Sequence, residues 1–354
     1  MSAERLKASS LRSQTENRPI GVGVIGLGYW GPNLVRVFNQ VDSSQVLMAA
    51  DLQKSRRHYI HNLYPDLLLV EDYKAILDRP DIDLICVATP MWDHYQISKE
   101  VLLSGKHLFV EKPFATRSSE AEELVKLAKK SELMIGVDHV FLYSPAVQRL
   151  HEDLSGGAIG RILYMTSKRM NPGPPNPNAN VLWDLGPHDV ALILSLVKKE
   201  PINIAVWAES YTSRMHEASQ ILLEFGEGLT AHIHLSWLTA NKTRVFEAFG
   251  KNGYLIYDDL KPDQKIHIFG PPLDNRVGKD ANSPVAFTYS PGEVFIPQIP
   301  SGEPLLNEAS SMIESVRSGI PPLSDGELGL KVVRIIEKAC QFINGKETKQ
   351  IFRQ

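Results

Sequence analysis

Between residues 20 and 137, short apolar runs alternate with longer stretches whose apolar residues recur every three or four positions. The runs at 21–25, 45–50, 67–70, 83–88, 107–110 and 133–137 read as strands, and 32–40, 53–63, 72–78, 93–104 and 119–130 as helices. Several of the strands are apolar throughout, as expected where helices cover both faces of a parallel sheet. Chemical signals mark the helix ends. Asp93 stands where an N-cap belongs, Gly105 where a C-terminal glycine belongs, and Ser119 and Glu122 have capping-box spacing.

After residue 140 the pattern changes. Residues 141–154 read as a linking helix. Apolar and polar positions then alternate in several of the stretches 162–170, 202–209, 219–225, 229–237, 244–250 and 265–269, the signature of an antiparallel sheet packed on one face. An apolar helix over 188–198, with Pro187 at its start, interrupts the series, and 304–344 returns to helices. The expected fold is an α/β domain over 19–140 and an α+β domain over 141–303, followed by C-terminal helices over 304–354 and preceded by a polar tail over 1–18.

Composition narrows the class. The chain has 354 residues, 43% of them hydrophobic and 22% charged, and a formal net charge of −3. Nothing in that balance favours nucleic acid or an anionic membrane. No apolar run reaches the ~20 residues of a membrane span. The only cysteines, Cys86 and Cys340, support neither a disulfide framework nor a thiolate metal site. The tail lacks the apolar core of a signal peptide. A cytoplasmic location is expected.

The first strand leads into Gly26-Leu27-Gly28-Tyr29-Trp30-Gly31-Pro32. Gly26 permits a tight turn, Gly28 lets a pyrophosphate approach the backbone, and Gly31 allows the next helix to pack closely. Pro32 suits the first turn of a helix whose N-terminus can receive the phosphates. The alternative register Gly21, Gly23, Gly26 has no preceding strand. Asp51 ends the second strand twenty residues after Gly31, where an acid accepts hydrogen bonds from an adenosine ribose. A dinucleotide is the expected cofactor. Asp51 would repel a 2′-phosphate and so favours NAD, whereas Arg56 and Arg57 just beyond it could accommodate the phosphate of NADP.

Ligands of an open parallel sheet bind beyond the carboxyl ends of its strands. Thr89-Pro90, leading to His94, and Glu111-Lys112-Pro113 occupy that rim. Beside a cationic nicotinamide a lysine loses its proton more readily and becomes a proton shuttle. A surface lysine after a strand is an equally ready reading of Lys112 taken alone. In Trp183-Asp184-Leu185-Gly186-Pro187-His188-Asp189, one helical turn would put Asp184 and His188 on one face. A histidine oriented by a carboxylate can serve as a general base, and helix capping with a packed histidine accounts for the same spacing. His232 and His234 share a strand face with no third ligand at suggestive spacing, so no metal is expected. The loop from Asn171 to Asn180 is stiff and proline-rich, and could border a substrate.

Taken together, Gly26–Gly31, Thr89-Pro90 with His94, Glu111-Lys112-Pro113 and Asp184 with His188 resemble the Gfo/Idh/MocA family of nicotinamide-dependent sugar oxidoreductases over residues 20–345. The resemblance implies a Rossmann domain, then a domain on a large, mostly antiparallel open sheet through which subunits form homodimers or homotetramers. It implies that Lys112 and His188 flank the reacting carbinol, with Asp184 assisting, and that Tyr29, Trp30 and the rim residues contact the cofactor. Gly-Tyr-Trp-Gly-Pro-Asn and Val-Leu-Trp-Asp-Leu-Gly-Pro-His-Asp are similar to the branch acting on nucleotide-linked amino sugars at C3. For such a substrate, Tyr143, Arg169, Asn171 and Asn180 become candidates to hold uracil and diphosphate. A UDP-N-acetylated amino sugar is therefore the expected substrate. A ketoreductase or a dehydrogenase of another sugar or polyol, and a non-catalytic dinucleotide-binding regulator, are the alternatives.

Overall fold

The computed structural model describes residues 18–173, 179–270 and 292–344. The expected polar tail, apart from residue 18, and the middle of the proline-rich loop, 174–178, lie outside the described residues. Two compact units are present. One comprises the chain up to Val140 with Glu303–Leu330, the other Phe141–Gly302 with the chain from Lys331.

The first unit holds a six-stranded sheet of β1 (Ile20–Ile25), β2 (Ser44–Ala50), β3 (Leu68–Val70), β4 (Leu84–Val87), β5 (His107–Val110) and β6 (Ile135–Val137) in the order 3-2-1-4-5-6. Every neighbouring pair is parallel. Helices α1 (Gly31–Gln40), α2 (Lys54–Leu63), α3 (Lys74–Leu77), α4 (His94–Leu103) and α5 (Ser118–Lys130) connect the strands. Strand β4 is buried along its whole length, as its unbroken apolar run requires. The order reverses between β1 and β4, which opens a crevice beyond their carboxyl ends. Gly105 adopts the expected left-handed C-terminal conformation at φ 77°. Neither expected N-terminal cap forms: Asp93 stands at the N-cap of α4 without a side-chain capping bond, and α5 starts at Ser118 behind Arg117.

The second unit is entered through a 3₁₀ turn (Val140–Tyr143) that leads out of the first, and α6 (Pro145–Ser155) follows, so one continuous helix over 141–154 is replaced by two pieces that break at Ser144-Pro145. Its sheet consists of β7 (Ile162–Met170), β8 (Asn203–Glu209), β9 (Ala218–Glu224), β10 (Thr230–Ser236), β11 (Thr243–Gly250), β12 (Gly253–Asp258), β13 (Ile266–Phe269) and β14 (Val294–Phe295), in the order 14-13-12-11-7-10-9-8. Only the β7–β10 pair is parallel. Helix α7 runs from Val181 to Val197, seven residues earlier than the apolar pattern suggested, because Asn180 caps it and Trp183 and Asp184 belong to its first turn. Pro187 therefore sits inside the helix instead of starting it. A Cβ at Gly186 would come within 3.3 Å of Leu235 on β10, so the glycine sets how closely α7 lies on the sheet.

Helix α8 (Pro304–Ser318) packs Leu305, Ala309, Met312 and Ile313 into the same core as Leu34, Val35 and Phe38 of α1 and Phe109 of β5. The final helix, α9 (Gly326–Asn344), starts in the first unit and continues into the second.

Candidate active site

The glycine loop is shaped by clashes that only glycine avoids. Gly26 has φ 93°, and a Cβ there would lie 2.6 Å from the carbonyl oxygen of Ala88. At Gly31 a Cβ would meet the Gly26 carbonyl at 2.1 Å, so α1 starts hard against the turn. At Gly28 nothing stands nearer than the Arg56 guanidinium at 3.7 Å, so one face of the loop is open. An open backbone face at the N-terminus of a ten-residue helix fits a pyrophosphate. Tyr29 is almost fully exposed and Trp30 half-exposed at the N-cap, their rings meeting edge to face at 5.2 Å.

Asp51 is buried and already bonded. Its Oδ2 accepts from the Leu27 amide at 2.7 Å and from Arg56 Nη1 at 3.3 Å, and its Oδ1 accepts from the Gln53 amide at 2.7 Å. It therefore ties the glycine loop to the turn after β2, and lone pairs remain on its oxygens for a further donor. Arg57 is spent on the Asp51 carbonyl at 2.6 Å and on Glu71 at 3.1 Å, which leaves Arg56 as the guanidinium over the loop.

His94 does not present a nitrogen to a ligand. Its Nδ1 faces the Pro113 carbonyl at 2.7 Å and its Nε2 the Thr89 carbonyl at 2.9 Å. Both ring nitrogens thus face carbonyls of the two rim loops, and a neutral imidazole donates to one of them. Burial holds its pKa below the usual histidine value despite those carbonyls. Thr89 and Pro90 follow β4, and Thr89 Oγ1 is buried without a partner among the described residues.

Strand β5 delivers Glu111 and Lys112 to the rim, where the Glu111 amide donates to the Val87 carbonyl at 2.9 Å and the Lys112–Pro113 peptide is cis. Lys112 is half-buried. The same unit buries three acids, Glu111, Asp138 and Glu308, two of which sequence reasoning passed over. Asp138 follows β6, its amide donating to Val110 at 2.8 Å, and Glu308 comes from α8, its Oε1 accepting from Ser324 Oγ at 3.2 Å. Glu111, Asp138 and Glu308 are 6%, 3% and 1% exposed. His139, beside Asp138, is buried with neither ring nitrogen bonded among the described residues, and burial with the Lys112 charge pushes it down to about 3. The available signal was position: Asp138-His139 ends a strand on the same rim, and Glu308 is an acid on the apolar face of its helix.

In the second unit, Asp184 and His188 lie one turn apart on α7, both half-buried, and Asp184 Oδ2 accepts from Trp237 Nε1 at 3.1 Å. The other candidates there have structural duties. Asn180 Oδ1 accepts from the Trp183 amide at 3.1 Å, capping α7. Arg169 reaches Asp189 at 2.6 and 3.3 Å, lies 5.0 Å from the centre of the Phe141 ring and has a side chain only 6% exposed. A guanidinium so enclosed braces β7 against α7, which corrects its assignment as a phosphate ligand. Tyr143 is buried in the 3₁₀ turn. Asn171 is half-buried just after β7, its amide donating to Ser236 at 2.9 Å. His232 is exposed, edge to face with Tyr164 at 5.1 Å, and among the described residues no three His, Cys, Asp or Glu residues are arranged to hold a metal.

A family model described as "Oxidoreductase family, NAD-binding Rossmann fold" matches residues 20–139, and one described as "GFO/IDH/MocA C-terminal domain" matches 147–256. The UDP-N-acetylglucosamine 3-dehydrogenase of Acidithiobacillus ferrooxidans is 24% identical over 70% of this chain and 76% of its own. Its solved structure superposes with a TM-score of 0.78 over 91% of this chain and 96% of that one, at 20% identity. The scyllo-inositol 2-dehydrogenase (NADP(+)) IolW of Bacillus subtilis is 24% identical over 96% of this chain and 98% of its own. KijD10, a 3-ketoreductase from Actinomadura kijaniata solved with TDP-benzene and NADP, superposes with a TM-score of 0.74 over 91% and 96% of the two chains, at 22% identity. Among the described residues no helix is long and apolar enough to cross a membrane.

Proposed function

The chain belongs to the GFO/IDH/MocA family of oxidoreductases, and from that premise we propose that it oxidises or re-reduces a secondary hydroxyl of a nucleotide-linked amino sugar, at C3 of a UDP-N-acetylated sugar. The observation that carries the reading is the shared rim of the first unit. The open backbone at Gly28 and Lys112 both stand beyond the carboxyl ends of one parallel sheet, where a cofactor and a reacting carbon meet in such folds.

Gly26, Gly28, Gly31 and the start of α1 would hold the pyrophosphate, and Asp51 the adenosine ribose. When bound, the nicotinamide supplies the hydride acceptor. Lys112 donates a hydrogen bond to the sugar oxygen and stabilises charge that develops there. His188 takes the hydroxyl proton in oxidation and returns it in reduction, and Asp184 orients it. NAD is the preferred cofactor because Asp51, an acid at the end of the second strand, disfavours a 2′-phosphate. Arg56, 3.3 Å from that carboxylate, leaves NADP usable. Asn171 remains the substrate-side candidate in the second unit, since Arg169 and Asn180 are engaged elsewhere. The same reading has copies of the chain associate through the second sheet, whose strands leave Tyr164 and Phe249 exposed, and keeps the protein in the cytoplasm.

The test is a panel of nucleotide sugars, free N-acetylglucosamine and myo-inositol, each offered with NAD and followed through reduced nicotinamide. UDP-N-acetylglucosamine or a close UDP-amino sugar is expected to be oxidised and the free sugar to be much poorer, because remote binding energy positions the carbinol. Equal efficiency on the free sugar or on myo-inositol would remove the nucleotide-sugar assignment.

A further inference from the structure

We propose that loop 210–216 of the second unit is the subsite for a nucleoside diphosphate, with Arg214 pairing to the diphosphate and the Tyr211 ring against the base. The inference rests on the nucleotide-sugar reading above and supplies the cation that Arg169 cannot.

The loop joins β8 to β9 and stands at the end of the sheet where α7 begins. The Val181 amide, at the start of α7, donates to the His216 carbonyl at 3.0 Å. The Trp237 amide, just after β10, donates to the Glu217 carbonyl at 3.0 Å. The indole of the same Trp237 donates to Asp184 at 3.1 Å. Asn171 joins this end through its amide bond to the Ser236 carbonyl. The loop is thus tied to the strand ends and to the helix that carry the proposed acid–base pair and the remaining substrate-side candidate.

Connecting loops are ordinarily the more mobile parts of a fold. This one is held from inside. Buried Glu217 accepts from the Tyr211 and Thr212 amides, each at 2.7 Å, and from the Thr212 hydroxyl. Ser210 Oγ lies 3.0 Å from His216 Nδ1, which closes the loop across its base. At the tip, Ser213 Oγ accepts from the Met215 amide at 3.1 Å, with Arg214 between the two. The backbone is fixed while Tyr211 and Arg214 stay exposed, so a ligand meets side chains whose main chain needs no further ordering.

Elimination isolates Arg214. Among the described arginines of the second unit, Arg149, Arg169, Arg244 and Arg334 are ion-paired with Asp153, Asp189, Asp259 and Glu200. Arg161 precedes β7, at the far end of that strand from Asn171, and reaches the Glu227 carbonyl at 3.5 Å. Arg214 has neither an ion pair nor a hydrogen bond among the described residues. A guanidinium without a carboxylate partner matches phosphate oxygens in bidentate geometry. Tyr211, three residues earlier on the same loop, offers a π face on which a base can stack.

The test uses the full chain with NAD at saturation, so that the dinucleotide site is filled, and UDP as the probe. Affinity is read by calorimetry. Arg214→Met is expected to weaken UDP by about tenfold or more, the loss of charge-assisted hydrogen bonds. Tyr211→Ala is expected to weaken it by about fivefold, the lower end for a stacked base. Arg161→Met is expected to leave it unchanged. Phenylglyoxal labelling of the wild type, read peptide by peptide by mass spectrometry, needs no variant: UDP is expected to protect Arg214 and to leave Arg161 reactive. No saturable UDP binding overturns the proposal. So does unchanged affinity in folded Arg214→Met or Tyr211→Ala, an equal loss in Arg161→Met, or an Arg214 that labels equally with and without UDP. If UDP protects Arg214 and no nucleotide sugar is oxidised, the functional reading fails and this one stands; oxidation of UDP-N-acetylglucosamine with Arg214 unprotected gives the reverse.

Discussion

In the second unit, buried Arg169 meets Asp189 at 2.6 Å and Ser167 donates to the same carboxylate, while buried Ser219 donates to the Trp207 carbonyl at 2.9 Å. In the first unit, Thr89, Ser98, Glu111, His139 and Glu308 each keep a buried polar atom with no partner among the described residues, and the second unit contributes none to that set. Unpaired buried groups are costly, and these gather in the unit that carries the glycine loop and Lys112. One unit spends its polar groups on rigidity. The other, with the glycine loop and Lys112, leaves buried polar atoms unpaired.

The contrast can be broken first at the chemistry. Lys112→Met and His188→Asn are each expected to lower turnover by ~10²-fold or more while cofactor binding, measured by titration, persists. Normal turnover in both would end the catalytic assignment, and unfolding of His188→Asn would mark that histidine as a packing residue. The framework comes next. Asp189→Ala strands a buried guanidinium and is expected to cost about 3–5 kcal/mol in urea unfolding, whereas Arg169→Met with Asp189→Leu should recover most of it. A loss under about 1 kcal/mol for Asp189→Ala would show that the pair is no brace.

A smaller effect sharpens the same comparison through pH. The folded chain holds the Glu308 proton more tightly than the unfolded chain does. Its contribution to stability is therefore present below the ordinary glutamate value and is lost as pH rises through the raised one. His139, pushed down to about 3, works in the other direction: its contribution is present above the ordinary histidine value and is lost as pH falls. Thermal unfolding against pH should show a flatter alkaline decline in Glu308→Gln and a flatter acid decline in His139→Leu. Each difference is bounded by about 1.4 kcal/mol per pH unit for one proton. Slopes identical to the wild type would contradict a protonated Glu308 and a neutral His139. The smallest expected change concerns cofactor choice. Arg56→Ala should weaken NADP by about tenfold and leave NAD nearly unchanged, the scale of one charge-assisted hydrogen bond. A wild-type preference for NADP would undo the reading of Asp51.

Local chemistry made the first unit largely legible. Glycines with steric reasons, apolar strands and an acid at the end of β2 all lie within a short stretch of chain, and the parallel sheet followed from their alternation. What escaped was long-range. The partner of Glu308, Ser324, lies beyond the end of its helix, so nothing near Glu308 marks it as other than a misplaced acid. Arg169 looked available because its partner Asp189 lies twenty residues on, across the proline-rich loop, where nothing local points to the pairing. The start of α7 was hidden by Pro187, which sits inside the helix but reads as a helix start, and β12 by its short connection to β11. Pairing, not composition, decided each of these.

The central claim is hydride transfer from C3 of a nucleotide sugar, with Lys112 steadying the oxygen. It is tested most directly with UDP-N-acetylglucosamine deuterated at C3, mixed with NAD and the protein in single-turnover amounts. The account predicts that deuterium passes into the reduced nicotinamide in step with 3-keto product, and that Lys112→Met binds the cofactor yet slows the transfer by ~10²-fold or more. Reduced nicotinamide without deuterium, or undiminished transfer in Lys112→Met, would contradict it.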